Sequence, residues 1–352
     1  MLLTIVVFLV LLIVLILTHE IGHFAAAKIS KVKVEEFGLG LPPRIWGFKY
    51  GETIYSINWI PFGGFTRLLG EEDPSTPGSL ASKSIGARIF VLSAGSLLNI
   101  LLPIVLFTVS FMIPHDVTME KVLIKEVAAG SPAQTAGIEA GDRIVEVNGH
   151  SIKNRGDLSY QIQLNLGNDT TIVIEKPDAS QKVISVKPRW VPPQGQGATG
   201  VVLTSSDMTT VVESMPFQQA LPTSVTHSWE ILVLFKNEVT SWFVRSTAPQ
   251  LAGPIAIAQL TGEVIKAGIS PLLEFAALIS INLGIFNLLP IPGLDGGRLV
   301  FVLLEWARRG KKISPQKEGL VHMIGFLAMI LLILVISYFD VARIIRGESL
   351  LP

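Results

Sequence analysis

Two histidines and a glutamate end an almost wholly apolar N-terminal run, in the motif HEIGH at residues 19–23. Among the first seventeen residues only Thr4 is not apolar. Histidines four positions apart lie on one face of a helix, so both imidazoles can bind one ion. The glutamate between them lies beside that ion and can take a proton from bound water. The pattern therefore predicts a metal site with His19 and His23 as ligands and Glu20 as general base.

A catalytic zinc usually has three protein ligands, so the site needs one more. The chain has no cysteine, which leaves histidine, aspartate or glutamate. Two carboxylates in later apolar segments are candidates, Glu274 and Asp295. If these apolar segments cross a membrane, Glu274 is expected near the external end of its segment. Asp295 is expected at the same membrane depth as the two histidines. Prolines and glycines around Asp295 break the helix, and irregular backbone at membrane depth is tolerated where it is buried or lines a cavity.

Two structural alternatives stay open for these residues. The histidine pair could be satisfied by other polar groups in a helical bundle, although ionisable groups inside a membrane carry a penalty of a few kcal/mol. Asp295 could cap the helix that follows it.

The composition predicts a membrane protein. Hydrophobic residues make up 49% of the 352 residues, charged residues only 16%, and the mean hydropathy is +0.53. The net charge is zero, which gives no electrostatic reason to expect a nucleic-acid partner. We therefore expect a lipid bilayer around the chain and no nucleic acid.

Four segments are long enough to cross about 30 Å of hydrocarbon at about 1.5 Å per residue. Alternatively, the first is a cleaved signal peptide, although it lacks a basic start. Lysine and arginine gather at 28–88 and 298–317, which predicts that both regions face the cytoplasm. The N-terminus and the 114–271 region then lie outside. The four predicted spans are residues 2–26, 89–113, 272–292 and 320–339.

The predicted external region begins like a small soluble domain. Alternating strands are expected at TIVIEK and KVISVKP, and a helix at DLSYQIQL. Asn148-Gly149 indicates a turn, because both residue types tolerate positive φ. A linker rich in proline, glycine and glutamine follows at 191–198. Trp229, Leu232, Phe235, Val239 and Trp242 then recur at helical spacing, which predicts an amphipathic helix on the membrane surface.

Three motifs together resemble a known family. AAGSPAQTAGIEAGDRIVEVNG resembles a bacterial PDZ domain, here covering about 118–190. HEIGH in the first span, with NxxPxPxxDGG at 287–297, resembles the site-2 protease family and, within it, the bacterial regulator of sigma-E protease group. The resemblance implies an intramembrane zinc metalloendopeptidase, with His19, His23 and Asp295 holding Zn²⁺ and Glu20 as general base. The spacing alone would also suit iron or cobalt.

The resemblance also implies further residues for binding substrate. FGGF at 62–65 is similar to the family's β-hairpin that re-enters the membrane and pairs with an extended substrate, although a simple turn is the alternative. LAGPIAIAQ at 251–259 is similar to a family segment that follows the PDZ region. Ser96 stands where the family usually has proline, which weakens any role for Asn99. The implied substrate-binding residues are Gly63, Gly64, Phe65, Asn282 and Asn287.

The expected fold class is a polytopic α-helical membrane protein of about four transmembrane helices, with a re-entrant β-hairpin and an inserted α+β PDZ domain. The expected location is the inner (plasma) membrane, with the PDZ-like domain on its extracytoplasmic side. The expected domains are 1–113 with the HExxH helix, 118–190, a linker and surface helices at 191–271, and 272–352.

The function implied is cleavage of transmembrane segments in membrane proteins, such as anti-sigma factors or signal-peptide remnants. The PDZ-like domain would add a peptide ligand. Two other classes stay open. A membrane-tethered PDZ scaffold would not need Glu20, and a metal transporter would carry polar residues through several spans.

Overall fold

A computed structural model describes residues 2–71, 75–245 and 253–347. The chain forms two compact units. We call Met1–Ser110 with Leu251–Pro352 the membrane unit, and Phe111–Gln250 the inserted unit. The outer limits of the expected domains, at residues 1 and 352, and the first two residues of the 251–259 segment lie outside the described residues.

The helices and strands are numbered separately along the chain. The helices are α1 (Leu2–Ile29), α2 (Ile85–Met112), α3 (Pro132–Thr135), α4 (Arg155–Leu164), α5 (Phe217–Arg245), α6 (Pro254–Ala267), α7 (Ile269–Leu288), α8 (Asp295–Ala307) and α9 (Pro315–Ile345). The strands are β1 (Val34–Tyr50), β2 (Thr53–Leu68), β3 (His115–Val127), β4 (Arg143–Val147), β5 (His150–Ser151), β6 (Thr170–Glu175), β7 (Gln181–Val186) and β8 (Val201–Glu213).

Four of the described helices are long and apolar enough to cross a membrane: α1, α2, α7 and α9. This confirms the four predicted spans, with each helix extending a few residues past at least one predicted end. Backbone groups in hydrocarbon must be hydrogen-bonded within the protein, and a helix satisfies them within its own segment. These four helices give the chain the architecture of a polytopic membrane protein.

Helices α1 and α2 approach each other through glycine. A Cβ atom on Gly22 would lie 2.5 Å from the carbonyl oxygen of Ala94, and one on Gly95 would lie 2.4 Å from Nε2 of His23. Real Cβ atoms do not come that close to other heavy atoms, so larger residues would push the helices apart. These glycines allow α2 to pack directly against the histidines of α1.

Strands β1 and β2 of the membrane unit form a hairpin sheet. Lys49 pairs with Ile54 next to the turn. Phe37, in the first half of β1, pairs with Thr66 at one edge and with Tyr55 at the other. The end of β2 is therefore an edge of the sheet, and Thr66 lies on this edge.

The inserted unit contains a sheet of the order β7-β6-β4-β3-β8, with β5 paired to β4. Its core is built from aliphatic side chains of the sheet and α4, among them Ile124, Val147 and Leu158. The predicted turn is confirmed, since Asn148 and Gly149 have φ of 48° and 85° between β4 and β5. The strands and helix expected at TIVIEK, KVISVKP and DLSYQIQL are β6, β7 and α4.

The inserted unit continues past residue 190, where linker and surface helices are expected. Strand β8 pairs along β3 from Val127–Val201 to His115–Glu213. The predicted amphipathic helix lies within the longer α5, on which Trp229 is exposed.

Candidate metal centre

The last turns of α1 hold His19, Glu20 and His23, as the helical spacing predicts. Both histidines are buried, with 8% of their surface exposed. Their ring centroids lie 4.7 Å apart, and the two Nε2 atoms lie 3.1 Å apart. One face of the helix therefore brings the two ring nitrogens to the same point.

Asp295 reaches this point from the other end of the chain. Its Oδ2 lies 3.1 Å from Nε2 of His19 and 3.0 Å from Nε2 of His23. It begins α8, after the loop of prolines and glycine that the sequence identified as helix-breaking. A Cβ on Gly296 would lie 2.1 Å from the carbonyl oxygen of Leu289, so the turn into α8 requires a residue without a side chain. We call His19, His23 and Asp295 the metal cluster.

The hydrogen bonds around the metal cluster fit a cation. The Nδ1–H of His23 donates to the carbonyl oxygen of Val91 at 2.8 Å, which leaves Nε2 of His23 as a lone-pair acceptor. That lone pair meets Nε2 of His19 and a carboxylate oxygen of Asp295. The lone pair of His23 and the carboxylate oxygen of Asp295 are both acceptors, and at 3.0 Å they repel one another unless a proton or a cation lies between them.

The donor set and its spacing suit zinc. Imidazole nitrogen and carboxylate oxygen are both zinc ligands, and at metal–ligand distances of about 2.0–2.2 Å the ligands of a tetrahedral zinc lie about 3.3 Å apart. The three atoms here are separated by 3.0 to 3.1 Å. Three protein ligands leave a fourth position for water or substrate, as in catalytic zinc sites.

A cavity of about 290 Å³ opens beside the metal cluster. Glu20 lines it together with the end of β2, and Arg298 lies on it with its guanidinium 2.7 Å from Oε2 of Glu71. The cavity is lined by His19, Glu20, His23, Gly64, Phe65, Thr66, Arg67, Leu68, Glu71, Leu92, Asp295 and Arg298.

The residues predicted to bind substrate fall into two groups. Gly64 and Phe65 line the cavity, and Gly63 precedes them within β2 with φ of 110°. Asn282 is exposed on α7, and Nδ2 of Asn287 donates to the carbonyl oxygen of Leu283 in its own helix. The two asparagines are not among the residues that line this cavity.

The rival third ligand lies elsewhere. Oε1 of Glu274 accepts a hydrogen bond from Ser110 at 2.8 Å in the membrane unit. Asn99 is fully buried, and its side-chain amide has no hydrogen-bond partner among the described residues. Neither residue belongs to the metal cluster.

Sequence reasoning missed several residues that shape the site. The carbonyl of Val91 orients His23, but a backbone group leaves no signal in a sequence. Nδ1 of His322 accepts the backbone N–H of Gly293 at 3.0 Å, two residues before Asp295. Thr66, which lines the cavity, follows directly after the GGF segment. This proximity to the predicted substrate-binding residues is the one sequence signal that could have identified Thr66.

Comparison with known proteins agrees with this geometry. The family model for peptidase family M50 matches residues 7–332. A Clostridium acetobutylicum protein with a zinc metalloprotease name is 36% identical over 93% of this chain and 94% of its own length. Zinc metalloprotease RasP of Geobacillus kaustophilus is 28% identical, covering 94% of this chain and 95% of that protein. The regulator of sigma-W protease RasP of Bacillus subtilis is 27% identical, covering 97% and 99%.

A solved structure matches part of the chain. The PDZ domain of an SdrC-like protein from Listeria innocua is 24% identical and covers 25% of this chain and 97% of that chain, with a TM-score of 0.22. A score this low supports no conclusion about the fold.

Proposed function

The chain belongs to peptidase family M50, the site-2 protease family, and we propose that it uses Glu20 to hydrolyse peptide bonds within transmembrane segments of other proteins. It is a zinc metalloprotease, and its family cleaves in membranes. Its four apolar helices agree with a multi-pass membrane protein. The observation that carries the proposal is one cavity lined by both the metal cluster and Glu20.

In this proposal His19, His23 and Asp295 hold the zinc ion. When bound, zinc polarises the scissile carbonyl and makes water a nucleophile near neutral pH. The hydrogen bond from His23 to the carbonyl of Val91 fixes the orientation of that ring. Both histidines and Asp295 are fixed on packed helices, so little rearrangement is needed before reaction.

Glu20 moves the proton in this mechanism. Its carboxylate accepts a proton from the attacking water as the water oxygen bonds to the carbonyl carbon. It then returns that proton to the amide nitrogen, and the carbon–nitrogen bond breaks. No covalent bond forms between enzyme and substrate, in agreement with the absence of cysteine from the chain.

We assign substrate binding to the end of β2 and to α7. A peptide bond in a helix is shielded by its hydrogen bonds, so the substrate must unwind near the site. An extended segment can then pair with β2 at Gly63, Gly64 and Phe65, because a sheet edge offers unpaired backbone groups. Asn282 and Asn287 would hold the substrate, and for this the amide of Asn287 must turn away from its own helix.

We also propose that the hairpin of β1 and β2 re-enters the membrane. Its exposed apolar side chains support this placement, because exposed apolar patches mark membrane or protein contacts. Several aromatic residues are among them, which suits a position near the headgroups. Among the described large apolar side chains of the hairpin, the most exposed are Ile45, Trp46, Phe48, Tyr50 and Trp59.

For the 118–190 region we propose a PDZ-like docking module or size filter on the extracytoplasmic side. The proposed domains of the chain are 1–113, 118–190, 191–271 and 272–352. Its own aliphatic core supports a separate folding unit. Its partners would be peptide segments of membrane proteins. Anti-sigma factors and signal-peptide remnants are the substrate classes that we propose.

The test compares Glu20→Gln with Glu274→Gln, each purified and reconstituted in lipid. The first change keeps the size of the side chain and removes its basicity, while the second alters a membrane carboxyl outside the cavity. Zinc content, substrate binding and cleavage of a panel of single-span substrates are measured for both. Glu20→Gln should keep its zinc and bind substrate while turnover falls by about 10²–10⁴-fold. Glu274→Gln should resemble the parent in all three measurements.

Other outcomes separate the rival functions. A scaffold or a transporter would keep its function in Glu20→Gln, and a misfolded variant would lose its zinc. Cleavage by fully zinc-loaded Glu20→Gln at the parental rate would disprove the proposed mechanism.

A further inference from the structure

A hydroxyl group on β2 bonds to the carboxylate of Glu20. Oγ1 of Thr66 donates to Oε2 of Glu20 at 2.7 Å, and it also lies 3.1 Å from the backbone carbonyl oxygen of Glu20. Hydrogen bonds to a charged acceptor are shorter and stronger than those between neutral groups. The shorter contact to the carboxylate is therefore the dominant one.

The local sequence of β2 allows this contact. Side chains two residues apart share one face of a strand, so Gly64 and Thr66 both face α1. A Cβ on Gly64 would lie 3.1 Å from Cγ of Glu20 and 3.1 Å from Cγ2 of Ile16. The missing side chain at Gly64 lets the aliphatic part of Glu20 pack on the strand, and Thr66 then meets the carboxylate.

We propose that Thr66 is a positioning residue for the general base. A glutamate side chain has three rotatable bonds, and a free one would sample many orientations around the cavity. The bond from Thr66 fixes Oε2, so that Oε1 is the oxygen that accepts the proton. Orientation of this kind matters because a displacement of about 1 Å can cost about 10²-fold in rate.

The same strand connects the base with the substrate. Under the proposed function, on which this inference rests, an extended substrate pairs with Gly64 and Phe65, the residues just before Thr66. The strand that aligns the substrate backbone thus also holds Glu20 through Thr66. Thr66 therefore holds Glu20 in a fixed position relative to the peptide bond that is cut.

The first test compares Thr66→Val with Thr66→Ser in the full-length protein reconstituted in lipid with zinc. Valine keeps the β-branched shape and removes the hydroxyl, while serine keeps the hydroxyl. Thr66→Val should lower kcat by about 10- to 100-fold with KM and zinc content near the parental values, because only the orientation of the base is lost. Thr66→Ser should restore most of kcat. Thr261→Val is a matched control, since its hydroxyl bonds to Ile257 within α6.

A double-mutant cycle tests whether Thr66 acts through Glu20. The residual rate of Glu20→Gln is measured with and without Thr66→Val, at high enzyme concentration and long incubation. If Thr66 orients the base, its substitution should cost little once the base is gone.

Three results would overturn the inference. Parental kcat in Thr66→Val would show that the hydroxyl is not needed, and an equal fold-loss in the Glu20→Gln background would assign Thr66 a structural role. Parental turnover by Glu20→Gln itself would overturn both this inference and the proposed function. The first two results leave the proposed function intact, so the two failures can be told apart.

Discussion

Two clusters in this molecule combine histidine with a carboxylate, and they differ in what joins the groups. In the metal cluster, two Nε2 atoms converge on Oδ2 of Asp295. In the inserted unit, the hydroxyl of Tyr160 lies 3.1 Å from Nδ1 of His227 and 2.9 Å from Oε2 of Glu230. We call Tyr160, His227 and Glu230 the tyrosine cluster.

The difference shows how a metal centre is recognised. In the tyrosine cluster the hydroxyl can donate to Glu230 and accept from His227, whose Nδ1 also lies 3.5 Å from Oε2 of Glu230, so hydrogen bonds connect all three groups. In the metal cluster Nδ1 of His23 donates to Val91, so Nε2 of the neutral His23 ring presents a lone pair to Oδ2 of Asp295, and no hydroxyl among the described residues bridges the three atoms. Residue types and helical spacing are similar in the two clusters, and the hydroxyl of Tyr160, which bridges histidine and carboxylate in one of them, separates the two.

The largest expected effect comes from removing a carboxylate from the metal cluster. Asp295→Asn should weaken zinc binding by more than the 10- to 100-fold that is typical of losing an outer-shell partner, because here a ligand itself is lost. Zinc stoichiometry and affinity of the purified protein are the measurements. His227→Gln is the control in the other cluster and should retain full zinc. Full zinc occupancy in Asp295→Asn would show that another residue is the third ligand. The proposed distinction between the two clusters would then be wrong.

The next effect concerns the helix crossing that holds His23. Gly95→Ala should displace the ring, because the new Cβ would lie 2.4 Å from Nε2. Overpacking of this kind typically costs about 1–3 kcal/mol, so both zinc affinity and thermal stability should fall. Gly86→Ala is the matched control in α2, since a Cβ at Gly86 meets nothing within 4 Å. Equal zinc affinity in the two variants would show that the crossing does not position the histidine.

The sequence predicted the elements whose signal is local. Apolar length predicts α1, α2, α7 and α9, and helical spacing predicts that His19 and His23 share a face. To predict that Asp295 joins the two histidines required the family resemblance and an argument from membrane depth, because Asp295 and the histidines come from opposite ends of the chain. The contact of Gly95 with His23 depends on how two helices pack, and one helix alone carries no sign of it.

Strand β8 was not predicted for a related reason. VVLTSSDMTTVVE lacks strict alternation of apolar and polar residues, and its edge position leaves many side chains exposed. The strand forms because β3 offers backbone partners from Val127 to His115. Tertiary pairing of this kind outweighs a weak local pattern.

The smallest effect is a pH dependence confined to the tyrosine cluster. The hydrogen bond from His227, opposed by partial burial and aided by the Tyr160 hydroxyl, lowers the pKa of Glu230 below its ordinary value. A carboxyl whose pKa is lower in the folded state stabilises that state above its unfolded pKa of about 4.3. The stabilisation is lost as the pH falls through the lower, folded value. Because Glu230 is partly exposed to solvent, we expect less than about 1 kcal/mol.

Hydrogen exchange of the α4 backbone in the full-length protein can detect this loss. Protection factors, corrected for intrinsic exchange, are compared between the parent and Glu230→Gln from neutral pH down to about 3, which lies below the ordinary glutamate pKa. The advantage of the parent should be constant near neutrality and shrink as Glu230 becomes protonated, because the glutamine variant has no carboxyl to titrate. An advantage that does not change over this range would mean that Glu230 is not held as a carboxylate by the hydrogen-bond chain. The tyrosine cluster would then no longer be the hydrogen-bonded network that distinguishes it from the metal cluster.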